Sequence, residues 1–332
     1  MAGRGSRLRP HTLTVPKPLV HVGGKPIVHR LVEDIAEMCQ EKIEEIVFIV
    51  GDFGQEAEEQ LIQVAKTLGA AGSICYQDEP LGTAHAVLCA KEKLNGPVII
   101  AFADTLFKAE FEISDKQEGI IWVNKIEDPS AFGVVKLNEN GTIIDFVEKP
   151  KEFVSDLAMI GIYYFKSGEQ LKEELDYLVQ NNISNGGEYQ LPDALRRLTN
   201  KGVSFAPGEV SHWLDCGNKK VTVETNHQVL NFDRQKGIEL IDPEAEIIES
   251  VIMEPSYIAK GVKISNSIIG PHVSIGENTE ISHSIISNSI IQQDSKLSKL
   301  ILKDSMIGSF VTANGKTSDL SLGDYTEITD AL

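Results

Sequence analysis

The chain has 332 residues, 42% of them hydrophobic, enough for one large domain and a smaller one with packed cores. Its formal charge of −18 argues against nucleic acid or an anionic membrane surface as a partner, so an anionic substrate needs a local cluster of cations. No run of about 18 apolar residues is present to span a membrane, no signal-peptide pattern precedes the first glycines, and Cys39, Cys75, Cys89 and Cys216 lack Cys-x-x-Cys spacing, as expected of reduced thiols in a cytoplasmic protein.

The chain opens on Ala2-Gly3-Arg4-Gly5-Ser6-Arg7-Leu8-Arg9-Pro10-His11-Thr12 and continues to Pro16-Lys17-Pro18-Leu19. Gly3 and Gly5 let the backbone bend and bring its N–H groups close to a ligand. Arg7, Arg9 and Lys17 set three cations beside that bend, a composition suited to polyphosphate. It is neither a Walker loop nor a dinucleotide fingerprint, and Gly-x-Gly alone fits a plain surface turn as well. In a nucleotide-binding α/β fold such a loop follows a buried strand. Only Met1 and Ala2 precede Gly3, so the natural reading frame is expected to start upstream with an apolar run of about five residues.

Residues 26–40 read as a helix, with Pro26 at its start and an apolar stripe through Ile27, Val28, Leu31, Ile35 and Met38. Residues 46–50 are a continuous apolar run, as in a strand buried on both faces. A helix follows over 56–68, then a second buried strand over 98–102. This alternation predicts a Rossmann-like, mostly parallel sheet flanked by helices. Further strands are expected at 119–126, 133–137, 142–147 and 159–165, some of them antiparallel, and helices at 171–180 and 191–198.

Past about Lys236 aromatics nearly vanish. Ser250-Val251-Ile252, Ser267-Ile268-Ile269 and Ser284-Ile285-Ile286 recur every 17 residues, with isoleucines stepping by five or six within them. A period near 6 nested in one near 17 predicts a three-sided β-solenoid of about five coils. The expected division is therefore 1–235 and 236–332. Bare Ile-rich faces on the solenoid predict a homo-oligomer through this second domain.

Four more stretches carry chemistry. In Tyr76-Gln77-Asp78-Glu79-Pro80-Leu81-Gly82-Thr83-Ala84, Gln77 offers an acceptor and two donors to a base edge, Gly82 permits close approach, and a helix from Thr83 offers N–H groups. Read alone, it is an ordinary loop before a helix. Asp104 ends an apolar strand, where carboxylates face the ligand crevice. Asp215, in Trp213-Leu214-Asp215-Cys216-Gly217-Asn218, is its candidate partner. Two such carboxylates suit Mg²⁺ at a triphosphate, although a single Asp at a strand end more commonly caps or pairs. Glu148-Lys149-Pro150 closes a strand and by itself reads as a solvated end. His85 and His212 lack a nucleophile partner and read as structural.

Taken together these strings resemble the signature segments of the sugar-phosphate nucleotidyltransferases, in the manner of glucose-1-phosphate thymidylyltransferases and mannose-1-phosphate guanylyltransferases. The resemblance implies a nucleotide-diphospho-sugar transferase fold over about residues 1–220, followed by a left-handed parallel β-helix. It implies transfer of a nucleotidyl group from a nucleoside triphosphate to a sugar 1-phosphate. By that resemblance Ala2, Gly3, Gly5, Ser6, Gln77, Gly82 and Thr83 bind nucleotide. Arg7 meets the leaving pyrophosphate, Lys17 meets the α-phosphate, and Asp104 and Asp215 hold Mg²⁺. Glu148 and Lys149 meet the sugar phosphate, with Gly133, Gly161 and Glu188 lining its pocket. Ala103 stands where relatives usually have Gly. Gln77 in place of the Glu of guanylyl-specific relatives leans towards dTTP or UTP, hence glucose-1-phosphate thymidylyltransferase. Mannose-1-phosphate guanylyltransferase and a catalytically silent regulatory relative remain open. A further alternative gives the solenoid acyltransferase chemistry through His272 or His283.

Overall fold

The structure is a computed structural model and describes residues 5–39, 41–109, 113 and 117–316. Ala2 and Gly3 lie outside the described residues. The chain divides into two compact units, one ending at Thr225 and the next beginning at Asn226. The division falls inside a helix, about ten residues before the expected one.

In the first unit a one-turn 3₁₀ helix (Ser6–Leu8) and a second (Lys17–Leu19) precede a short hairpin, β1 (His21–Val22) and β2 (Lys25–Pro26). Helix α1 (Ile27–Met38) follows, capped by Pro26, whose fixed φ and missing N–H suit a helix start. Strand β3 (Glu45–Val50), α2 (Gln55–Thr67) and β4 (Ala71–Tyr76) form a βαβ unit with parallel strands. Next come α3 (Thr83–Leu88), β5 (Val98–Ala101), β6 (Thr105–Lys108), β7 (Gly119–Lys125), β8 (Gly133–Leu137), β9 (Ile143–Glu148) and β10 (Leu157–Phe165). Helices α4 (Gly168–Gln180) and α5 (Leu191–Asn200), strands β11 (Phe205–Glu209) and β12 (His212–Asp215), and α6 (Lys219–Gln235) complete the alternation.

Six strands pair in the order β5-β10-β7-β11-β9-β8. β7 and β11 run parallel, while β10 is antiparallel to both β5 and β7, and β8 to β9. The core beneath this sheet is built from Ile121, Val123, Phe146, Phe165 and Phe205 with Leu171, Leu175, Leu191 and Leu195 of α4 and α5. Buried Glu174 of α4 takes Arg197 at 2.6 Å and Lys201, which fastens α5 to α4. β5 is half-buried rather than buried on both faces, because among the described residues it pairs only with β10. Val98 and Ile100 pack on the core, so the continuous apolar run marks the strand but overstates its cover.

The second unit is a parallel β-solenoid. Its first face stacks Glu246–Ile248, Lys263–Ser265, Glu280–Ser282, Lys296–Ser298 and Thr312–Asn314. The other two faces stack four strands each, giving about four complete turns with a fifth begun. Inward isoleucines at 258, 264, 269, 275, 281, 286 and 291 make the core. The 17-residue period holds for the first coils and then shortens to 16, since Val273 lies over Ser289 while Asn288 still bonds Pro271. The lost residue falls in the corner occupied by His272.

Candidate active site

Gly5 adopts φ +57°, and a Cβ there would stand 3.0 Å from the Lys17 Cβ, so the glycine both turns the chain and makes room for Lys17. Thr12 Oγ1 donates to the Gly5 carbonyl at 2.8 Å and closes the loop. Leu8 is buried and anchors the one-turn helix, which leaves Ser6 and Arg7 exposed.

Lys17 is only 8% exposed, yet its Nζ lies 3.5 Å from Asp104 Oδ2. A buried ammonium needs such a partner. Asp104 follows β5 and leads into β6, and β6 pairs with β12 so that Thr105 faces Asp215. The pairing therefore brings Asp104 and Asp215 together from positions 111 residues apart. The Cys216 N–H donates to the Asp104 carbonyl at 3.1 Å, and Trp213 Nε1 donates to Thr105 Oγ1 at 2.6 Å, which locks the two strand ends. Burial pushes the Asp215 carboxyl above its ordinary range. Lys17 and the Gly217 N–H, which donates to Oδ1 at 2.7 Å, oppose that rise, Asp104 adds to it and Arg7 lowers it. Arg7, Lys17, Asp104 and Asp215 thus share one electrostatic neighbourhood. Burial also pushes the Cys216 thiol up to about 12, which keeps it from acting as a thiolate.

The two carboxylates fit a divalent cation of the Mg²⁺ type, which takes one or two protein carboxylates and completes its shell with phosphate oxygens and water. Among the described residues no cluster of three or more His, Cys, Asp or Glu is arranged to hold a metal, so any ion here depends on that pair and on substrate.

The residues expected at the sugar gather around β8, β9 and β10. A Cβ on Gly133 would fall 2.7 Å from Glu148 Oε2, so this glycine gives the carboxylate its place. Glu148 Oε1 lies 3.8 Å from Lys149 Nζ, and Lys149 holds the left-handed φ of 44°, which turns the chain where β9 ends. Burial raises the Glu148 carboxyl, Lys149 offsets part of the rise, and Asp193 and Glu188 add to it. Gly161 sits at φ +87° in a register shift of β10 between Met159 and Tyr163, with Phe102 packed where its Cβ would be. Burial raises the phenol of Tyr163, and the charges of Glu148 and Asp104 raise it further. Phe132 packs edge-on to Trp213 at 5.0 Å, which links the segment before β8 to β12.

The third group is the 77–83 segment. Gln77 is 8% exposed, and its Nε2 lies 3.1 Å from both the Gly82 carbonyl and His85 Nδ1. Gly82 has φ 104° and ψ 178°, and a Cβ there would meet Tyr189 O at 2.4 Å. The close approach expected at Gly82 is thus made by the protein's own Tyr189 peptide. Thr83 Oγ1 receives the Leu191 N–H at 2.9 Å and donates to Gln190 Oε1, and the Ala84 N–H donates to Tyr189 O. These bonds tie the segment to the loop that carries Glu188, whose carboxylate takes a bond from Gln190 at 2.8 Å. Sequence reasoning missed Asp193 and Tyr163. Neither has a local signature; Asp193 acts on Glu148 because α5 packs against β9.

A mixed α/β sheet that carries a cation-lined glycine loop, a carboxylate pair and a separate carboxylate–lysine pair is an arrangement suited to nucleotidyl transfer. The chain belongs to the nucleotidyl transferase family, whose model matches residues 1–231, and it is an enzyme of the sugar-1-phosphate class. It is 31% identical to a glucose-1-phosphate thymidylyltransferase of Streptomyces antibioticus, over 92% of this chain and 90% of that protein. It is also 31% identical to the mannose-1-phosphate guanylyltransferase catalytic subunit beta of Drosophila melanogaster, over 77% of this chain and 68% of that one. Among solved structures, a UDP-glucose pyrophosphorylase complexed with UDP-glucose shares the fold, with a TM-score of 0.57 and 23% identity over 70% of this chain and 96% of that one.

Proposed function

We propose that this enzyme transfers a nucleotidyl group from dTTP or UTP to glucose 1-phosphate, releasing pyrophosphate. The observation that carries the reading is the convergence of Arg7, Lys17, Asp104 and Asp215 at one end of the β6–β12 pair. A sugar-phosphate oxygen forms a bond to the α-phosphorus, the bond from that phosphorus to the bridging oxygen breaks, and pyrophosphate leaves with the electron pair. The attacking phosphate is already ionised at neutral pH, so no residue has to take its proton. The task is to position two anions and to neutralise charge.

Lys17, held in place by burial and Asp104, faces the α-phosphate, and exposed Arg7 takes the leaving pyrophosphate. Lys149 clamps the incoming phosphate, and Glu148 accepts from sugar hydroxyls. Asp104 and Asp215 would hold Mg²⁺, which supplies positive charge to the phosphate oxygens when bound. For Gln77 to pair with both N3–H and O4 of a pyrimidine, its Nε2 must give O4 a hydrogen now shared with Gly82 and His85. The similarity to a thymidylyltransferase along most of the chain supports this base choice. The four free cysteines support a reducing, cytoplasmic setting.

Pyrophosphate release measured across dTTP, UTP, GTP, ATP and CTP with a panel of sugar 1-phosphates tests the assignment. A preference of at least tenfold in kcat/KM for dTTP or UTP is expected, because a site built on hydrogen bonds leaves its own groups unpaired with the wrong base. Equal or better use of GTP with mannose 1-phosphate would transfer the reading to guanylyl transfer. No turnover with any pair would make the protein a silent relative.

A further inference from the structure

The three faces of the solenoid are finished differently. The first carries a charge ladder that satisfies itself, with Lys263 on Glu246 at 3.7 Å and Lys296 on Glu280 at 3.0 Å. The second is covered by the end of α6: Ser274 Oγ donates to Asn226 Oδ1 at 2.7 Å, and the His272 ring stacks on His227 at 3.5 Å with Nε2 3.1 Å from Asn231 Oδ1. That packing engages His272. The third face presents Val251, Ile268, Ile285 and Ile301, stacked in register one above the other, at 55%, 39%, 47% and 83% exposure. Four aligned β-branched side chains leave on the order of 400 Å² of apolar surface open, as large as the biggest patch on a typical monomer.

We infer that this ladder is a self-association surface, and that its occupant is the same face of a second copy, related by a two-fold axis parallel to the strands. Charge selects that arrangement. Two residues before the ladder runs an exposed corner column, Glu249, Asn266, His283 and Lys299, each with positive φ. It starts on an acid and ends on a base. Two residues after the ladder, the column Met253, Gly270, Ser287 and Lys303 ends in a second base. A two-fold parallel to the strands reverses the ladder, so Glu249 of each copy faces Lys299 of the other at both ends of the contact. Ile268 then meets Ile285, and Lys303 lays its stem against Met253. A two-fold along the ladder would instead set Lys299 against Lys303. Neither Glu249 nor Lys299 has an ion-pair partner among the described residues. The apolar ladder supplies about half of the roughly 800 Å² that each partner gives to a standard interface, and the two flanking columns supply a polar rim. Isologous pairing of this kind closes as a dimer.

Sedimentation equilibrium on the full chain tests the inference. A dimer is expected at micromolar concentration. Ile285→Asp, which places a charge at the centre of the contact on an outward position, should raise Kd on the order of a hundredfold. Glu249→Lys and Lys299→Glu should each raise Kd roughly tenfold, and the double swap should return it close to the parent value. The exposed corner swaps leave the solenoid core untouched, so they remain informative if Ile285→Asp fails to fold. A monomer, a trimer, an unchanged mass for folded Ile285→Asp, or a double swap no tighter than the single variants would overturn the proposal.

Discussion

Gly82→Ala tests how the 77–83 segment is tied to the loop that carries Glu188. The glycine sits at φ 104° and ψ 178°, a region that essentially only glycine adopts and that costs a side chain about 1–3 kcal/mol. The added methyl would also lie 2.4 Å from Tyr189 O, 2.8 Å from Tyr189 N and 3.0 Å from Glu188 Cβ. The first two are backbone atoms, so relief requires the 188–190 segment to move. Movement strains two hydrogen bonds, Tyr189 N–H to the Leu81 carbonyl at 2.7 Å and Ala84 N–H to Tyr189 O at 2.9 Å, each worth about 1 kcal/mol. The total loss is about 3–5 kcal/mol, read as ΔΔG in urea denaturation. Because Glu188 moves with that segment, KM for the sugar 1-phosphate should rise alongside KM for the triphosphate. Gly133→Ala provides the contrast. Its methyl meets the mobile end of Met159 and the Glu148 carboxylate at 2.7 Å, with no positive φ, so stability should change little while the sugar-phosphate KM rises. A Gly82→Ala variant within about 1 kcal/mol of the parent and with both KM values unchanged would refute the reasoning.

Asp104→Asn and Asp215→Asn should each lower kcat by roughly 10²–10³-fold. Folding should survive, since an Asn at 104 keeps a side-chain oxygen to accept from Lys17 and an Asn at 215 keeps the acceptor for the Gly217 N–H; near-normal turnover in both would exclude the pair as metal ligands. Glu148, raised by burial, should protonate above the usual carboxylate range, so KM for sugar 1-phosphate should climb on acidification sooner than for an ordinary Glu. Because the folded state holds that proton more tightly than the unfolded chain, stability from this group falls as pH rises through the raised value, and Glu148→Gln should be more stable than the parent at pH 7. A KM–pH profile that is the same in Glu148→Gln would remove Glu148 from sugar binding.

The sequence by itself carried most of the element pattern. The helical stripe from Ile27 to Met38, the apolar runs at 46–50 and 98–102 and the Ser-Ile-Ile recurrence are periodic, and periodicity is a local property of the chain. The solenoid was legible because each rung repeats the same inward isoleucine. Its change from 17 to 16 residues was not, since one residue dropped at a corner leaves the inward positions apolar. The short strands β4, β6, β11 and β12 gave no sustained pattern, and β6 and β12 are the pair that builds the site. Residue types at Arg7, Lys17, Asp104, Asp215, Glu148 and Lys149 pointed to phosphate and sugar chemistry through their resemblance to a family, because each alone has an ordinary surface reading.

Only the tertiary structure decided which of these residues meet. Asp104 and Asp215 come together because antiparallel pairing puts Thr105 opposite Asp215, a relation between distant segments that no window of sequence contains. The same holds for Gly82, whose missing side chain is filled by the Tyr189 peptide. Local pattern determines elements through backbone sterics and burial of one face. The site depends on strand pairing across long loops, whose register is selected by packing of the whole sheet.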